Sequence, residues 1–361
     1  MSELTNAEQR RIVQRARFGT FLVNEYIKPT TQSLSRSIPR MMSDYDIADL
    51  TRRELDSFSA AVRKEFTDNW GAMWVDINKD LSRLAANEMK FTAGLYSEFT
   101  TATFAIPKLD LVLGAINNSI MSLTTGQLVQ SGIWAQFINQ NKRSTYALID
   151  GIIKQGWRDG VTNQDMVIQL RGKYNRKTKE YEGGVLNGTS KARAESLART
   201  GTSHYSAIAR DELINSNSDI IESRILYATF DNRTSDICIS RHLREWELDD
   251  DTYPRLPFHH QERSVYLFRI YGVDPFTGKR ASKGAEGGQQ VDADLSMTQW
   301  LKSQPRSFVD ETLGRTRAKL FLDGGFPINK FTDMQGRTLT LAELEATTDG
   351  AKAFKKAGLS N

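Results

Sequence analysis

Cysteine is almost missing from this chain. Its 361 residues carry one, Cys238, which excludes an intrachain disulfide framework and suits a reducing compartment. Histidine is nearly as scarce: there are four, and three of them (His242, His259 and His260) lie close behind Cys238. Long apolar runs are missing too. The stretch 106–121 comes nearest, but Lys108, Asp110 and the pair Asn117-Asn118 interrupt it, so the expectation is a buried or interfacial helix and no membrane span. The N-terminus, Met1-Ser2-Glu3-Leu4-Thr5-Asn6, is polar and lacks the apolar core of a secretion signal, so a soluble protein is expected. A net charge of +4 is too small to imply nucleic-acid binding without a concentrated patch. What is there is ordinary globular material, 39% hydrophobic and 25% charged. The length suggests two or three domains.

Apolar periodicity supplies the helices. Ile12, Val13, Phe18, Phe21, Leu22 and Tyr26 mark the buried side of a first helix that Pro29 should end, with 30–40 as a loop and Ser43 or Asp44 as the next cap. Leu55, Phe58, Val62, Phe66, Trp70, Met73, Ile77, Leu81 and Leu84 recur at steps of three and four, the signature of one long helix whose apolar face needs a cover. Further helical spacing runs from Ile133 to Trp157. Gly160 breaks it, Thr162 or Asn163 starts a short helix, and Gly172 stops that one. Residues 190–215 read as an Ala-rich helix in which Gly201 costs about 1 kcal/mol against alanine, implying a bend or a close neighbour. His204 reads as a helix-face histidine. The expected fold is α+β and predominantly α-helical: a long-helix domain at 1–142, a small α+β core with a short antiparallel sheet at 143–272, a Gly-rich linker or arm at 273–295, and a helical module at 296–361 with a mobile tail from Ala351.

Between Arg171 and Arg193 the chain turns basic. Arg171, Lys173, Arg176, Lys177 and Lys179, flanked by the turn signals Gly183-Gly184 and Asn187-Gly188, form an exposed ribbon or loop. Phosphate contact with double-stranded DNA is its functional reading. A solvated surface loop is the plain alternative, since only Tyr174 and Tyr181 accompany the charges.

The chemically dense segment is 225–271. Two β-type runs, 225–230 and 265–271, enclose Asp231-Asn232-Arg233-Thr234, then Cys238, His242, Pro254, Pro257, His259-His260 and Glu262-Arg263-Ser264. Two chemistries fit. Cys238, His242, His259 and either His260 or Glu262 could surround a zinc ion, which takes four nitrogen, sulfur or oxygen ligands. Alternatively Asp231, Arg233, Thr234, His259 and Arg263 form a hydrogen-bonded ionic knot that pins a long crossover to the sheet, with Cys238 as a small buried residue and no cofactor. In that knot Arg233 and His259 should lie near Asp231.

The order of these residues resembles the core of the Mu F-like minor head proteins, or head morphogenesis proteins, of tailed bacteriophages. That pattern runs from a helix with an Ala-Arg-Thr-Glu motif into a strand, an Asp-x-Arg-Thr turn, a Cys-x-x-Cys pair, a small-residue run ending in His or Asp, a Pro-containing acidic loop and a His-x-x-Cys-Arg-Cys/Ser ending. Asp231, Arg233, Thr234, Cys238, His242, Pro257, His259, Arg263 and Ser264 follow it in order. Gly201, Ser235 and Glu262 replace its glutamate and two of its cysteines. A second stretch, Trp300-Leu301 to Gln304-Pro305 and on through Gly336-Arg337 to Glu343-Leu344, resembles the end of the longer family members. Together these cover about 149–344.

The resemblance implies a non-enzymatic minor head protein, internal to the virion head and present in the host cytoplasm during assembly. Its implied partners are the portal protein, the major capsid or scaffold protein, and packaged double-stranded DNA. A metal-dependent nuclease or other hydrolase on the Cys/His cluster is the competing function. Such an enzyme needs a metal and an adjacent acid/base, and the chain offers no complete set.

Overall fold

Proline does not end the first helix. In the computed structural model, which describes residues 4–359, helix α1 (Leu4–Leu22) passes through a π-helical turn (Val23–Ile27) into α2 (Lys28–Ser43). Pro29 sits in the first turn of α2, where no intrahelical N–H is required, so it is tolerated where a loop was expected. Asp46 caps a short 3-10 turn, and Thr51, paired reciprocally with Glu54, starts the next helix in place of Ser43 or Asp44.

That helix, α3 (Arg52–Ser97), carries the predicted stripe, and all nine residues from Leu55 to Leu84 named above are buried. Their cover is another segment of the same chain. After α4 (Leu109–Asn118) and the hairpin β1 (Ile120–Thr125) and β2 (Leu128–Ile133) comes α5 (Trp134–Asp159). It gives Asn141 Oδ1 to the Trp70 indole N–H at 3.1 Å and sets the Tyr146 ring, tilted, beside Phe66. Next stand α6 (Asn163–Arg171), with Thr162 as its cap, β3 (Lys173–Asn175), β4 (Glu180–Glu182) and α7 (Lys191–Asn215). Gly201 in α7 marks a close approach: a Cβ there would lie 2.6 Å from the Trp134 ring.

A three-stranded antiparallel sheet follows, ordered β6-β5-β7, from β5 (Ile221–Tyr227), β6 (Glu245–Glu247) and β7 (Val265–Ile270), with helix α8 (Asp236–Arg241) in the crossover. β5 and β7 pair as the sequence predicts, Tyr227 opposite Val265 and Ile221 opposite Ile270. β5 ends before Phe230 because the Ala228 amide donates to the His242 ring and the Phe230 carbonyl accepts from Lys283. Lys283 belongs to a hairpin, β8 (Lys279–Gly284) and β9 (Gly287–Asp292), so the Gly-rich arm is ordered. It inserts Arg280, wholly buried, between the rings of Tyr227 and Phe230, 3.8 and 4.0 Å from their centroids. Five short helices complete the chain: α9 (Met297–Lys302), α10 (Arg306–Leu313), α11 (Arg315–Leu322), α12 (Leu341–Glu345) and α13 (Thr348–Lys356). Of the tail expected to be mobile from Ala351, residues 351–356 belong to α13 and Ala353, Phe354 and Ala357 are buried, while 360 and 361 lie outside the described residues.

The architecture is predominantly helical, 59% of the described residues, with antiparallel sheets of two and three strands. Its compact units ignore the sequence-based boundaries. One comprises 1–15, 85–131 and 203–361; the other comprises 16–84 and 132–202. In the first, α9–α13 pack with the crossover residues Phe230, Ile237, Ile239 and Phe258 in a single core. Among the described residues no helix is long and apolar enough to cross a membrane.

Candidate functional site: the crossover between β5 and β7

Thirty-seven residues separate the end of β5 from the start of β7, and a connection of that length needs internal cross-links to hold one conformation. Two adjacent polar bridges provide them. In the first, the Asp231 carboxylate closes its own turn by accepting from the Arg233 amide (3.0 Å) and the Thr234 hydroxyl (3.1 Å). It also takes a forked pair from Arg263, one arm at 2.9 Å. Burial pushes the Asp231 carboxyl up, but the hydrogen bonds and charge of Arg263 outweigh it and hold the group below its ordinary value.

The second bridge lies next along the chain. Cys238 Sγ, His259 Nε2 and the Glu262 carboxylate converge within 4.8 Å of one another. Sulfur to nitrogen is 3.3 Å, sulfur to the carboxylate oxygens 3.2 and 3.3 Å, and nitrogen to Oε2 3.0 Å. Ser235 donates its hydroxyl to the same sulfur at 3.2 Å. Glu262 Oε1 accepts two backbone amides, Arg263 (2.9 Å) and Ser264 (2.8 Å). His259 Nδ1 donates to the His260 carbonyl at 2.9 Å, which fixes the ring.

The electrostatics follow from these contacts. Burial disfavours an ionised Glu262, yet the imidazole of His259 and the amides hold its carboxyl far below the ordinary range. Burial likewise disfavours imidazolium, but the Glu262 charge dominates and raises His259 far above its usual value. Cys238 moves up, by burial first and then by the Glu262 charge, and remains a thiol. A proton on Nε2 thus bridges ring and carboxylate.

The same atoms fit a metal ion. They offer a sulfur, an imidazole nitrogen and a carboxylate oxygen, with the far ring nitrogen already oriented by a carbonyl, as metal-bound histidines require. Ser235 is the remaining oxygen within reach of the sulfur.

Several predicted site residues lie elsewhere. His242 is half-buried against Phe230 and Tyr227, accepts from the Ala228 amide, and lies 3.4 Å from Arg280; it has no place in the Cys238 group. Burial and then the Arg280 charge hold it well below its ordinary pKa, so it is neutral. His260 contributes its carbonyl, and its ring is outside the cluster. Arg233 gives only its amide to Asp231 and turns its side chain to solvent, while His259 faces Glu262 rather than Asp231. The expected single knot is therefore two bridges, joined through Glu262 and Arg263. Arg171, Lys173, Arg176, Lys177 and Lys179 lie on or beside the β3–β4 hairpin.

Sequence reasoning missed a second polar centre in the same compact unit. Glu8, Glu88 and Arg210, from α1, α3 and α7, are buried together, with Arg210 forked onto Glu8 and 3.3 Å from Glu88. Arg11 and Arg15 also approach Glu88, at 2.8 and 3.9 Å. A signal existed: Glu8 falls on the same helical stripe as Leu4 and Ile12, a carboxylate where the pattern asks for an apolar residue.

Comparison with protein-family models, with curated proteins and with solved structures finds no match to this chain.

Proposed function

We propose that this chain is a non-enzymatic minor head protein of a tailed bacteriophage, acting in head morphogenesis through contacts with the portal, capsid or scaffold protein. One observation carries the reading. Of the positions that line up with the Mu F-like pattern, Asp231, Thr234, Cys238, His259 and Arg263 meet as two neighbouring bridges, joined by Ser235 and Glu262, which stand where the pattern has cysteine. A degenerate motif whose two substituted members both contact Cys238 suits an architectural role. The surface supports a protein partner: Leu111 to Asn141 holds no Asp, Glu, Lys, Arg or His, and Leu111 and Leu128 within it are 66% and 77% exposed.

The Cys238–His259–Glu262 group keeps a second reading in view, a metal-dependent hydrolase. A hydrolytic metal needs an open coordination position and a free acid/base. Here Cys238 and Glu262 are buried and Glu262 is occupied by two amides. A metal at this position would be structural, held by Cys238, His259 and Glu262 and tightening the crossover.

The test is association during infection. The tagged chain should co-purify with portal protein and remain at low copy in isolated heads, and the purified protein should leave plasmid DNA un-nicked with Mg2+, Mn2+ or Zn2+. Absence from particles at every assembly stage, or metal-dependent nicking abolished by His259→Ala, would overturn the proposal.

A further inference from the structure

Residues 171–182 hold five cations and two carboxylates, and the fold organises them in a way a solvated loop does not require. Lys173 pairs with Glu182, Tyr174 with Tyr181 and Asn175 with Glu180, leaving Arg176-Lys177-Thr178-Lys179 as the tip of a β-ribbon. Lys173, Arg176, Lys177 and Lys179 are all exposed. Both carboxylates are already engaged: Glu180 binds Lys28 of α2 at 2.7 Å, and Glu182 accepts from Asn175 (2.9 and 3.0 Å) and Thr178 (2.8 Å).

The base of the ribbon is locked. The buried Gln32 amide brackets the Tyr181 backbone, donating to its carbonyl (3.1 Å) and accepting from its N–H (3.3 Å), and also donates to Asn187. Asn187 in turn donates to Ser35 (2.7 Å) and to the Arg171 carbonyl (2.8 Å). Gly172, at φ +78°, passes so close that a Cβ would lie 1.9 Å from the Glu182 carbonyl oxygen. The Arg171 guanidinium lies over the Tyr181 ring, and Tyr174, 53% exposed, presents its ring beside the cations.

Three like charges held at the tip of a rigid two-stranded ribbon, with Lys173 on its strand, repel one another, and an anionic partner relieves that cost. We propose that the β3–β4 ribbon binds the phosphate backbone of double-stranded nucleic acid, with Lys173, Arg176, Lys177 and Lys179 as the phosphate contacts. A two-stranded ribbon has the width of a duplex major groove, and phosphate contacts need no sequence preference. The tip carries no Trp, Phe, Leu or Ile, the side chains that would seat it in a lipid surface. This inference does not depend on the assembly role, because binding is measured on the purified chain without head particles.

The full-length protein is titrated against a labelled 30-base-pair duplex of arbitrary sequence between 50 and 200 mM NaCl, and against phosphatidylglycerol-containing vesicles. Arg176→Ala/Lys177→Ala/Lys179→Ala is the test variant; it lies at the exposed tip, away from the anchoring amides. Lys352→Ala/Lys355→Ala on α13 removes exposed cations elsewhere. Three lost phosphate contacts reduce the slope of log K against log salt by about 2.7. Affinity of the wild type should therefore fall about forty-fold more over this salt range than that of the tip variant, while the α13 variant behaves as wild type. No duplex binding, equal slopes for wild type and tip variant, equal losses in both variants, or binding to vesicles in preference to DNA would each overturn the inference.

Discussion

Replacing Glu262 by alanine should lower the unfolding free energy by about 3–5 kcal/mol, the range for removing one partner of a buried ion pair. The side chain of Glu262 is buried, and its loss leaves the His259 imidazolium without a counter-charge and the Arg263 and Ser264 amides without their acceptor. Glu262→Gln keeps an oxygen for the amides and loses the charge, so it should recover about half of the deficit. Arg233→Ala, in the Asp231 turn, should change stability by no more than about 0.5 kcal/mol, because that side chain is exposed and only its amide is used. Denaturant unfolding of the three variants checks this ranking. A severe Arg233→Ala defect would return Arg233 to the knot from which the geometry removes it.

Arg210→Met should cost a similar amount, again about 3–5 kcal/mol. Methionine fills much of the same volume, so the loss is electrostatic: Glu8 and Glu88, both fully buried, lose the guanidinium that lies between them. Burial alone would raise the Glu88 carboxyl; Arg15, Arg210 and Arg11 together hold it below its ordinary value. Because α1, α3 and α7 meet at this point, the variant should also speed amide exchange in residues 4–15, which a local defect in α7 would not do. Unchanged stability and exchange would mean that the three arginines are interchangeable there.

Much of the fold was legible where periodicity is local. The stripe from Leu55 to Leu84 announces α3, Thr162 and Gly172 bracket α6, and the two β-runs announce the paired strands. What failed depends on contacts between distant residues. Glycine-rich composition marks linkers and tight hairpins alike, and the pairing of β8 with β9, which sets Arg280 against the rings of Tyr227 and Phe230, is not written in it. Pro29 signals a stop unless the chain has already passed through a π turn into a new first turn. The compact units cross the expected boundaries because α1, α3 and α7 each contribute to both. At the site, the right chemistry was visible but not the right partners. Spacing suggested Cys238 with His242, four residues apart. The α8 geometry instead turns Cys238 towards His259 and Glu262, and His242 towards Phe230.

A proton shared by His259 and Glu262 closes the crossover as a structural cross-link. Its most direct test is the pH dependence of unfolding, wild type minus His259→Gln, measured in chelator. His259 is raised in the folded protein above its ordinary 6.5, so its contribution is complete below that pH and is lost as pH climbs towards the folded value. The difference should shrink from pH 6.5 to 8.5 by up to about 1.4 kcal/mol per pH unit. A bound metal requires deprotonated sulfur and imidazole, so a difference that grows with pH, in protein purified without chelator and collapsing on its addition, would contradict the account.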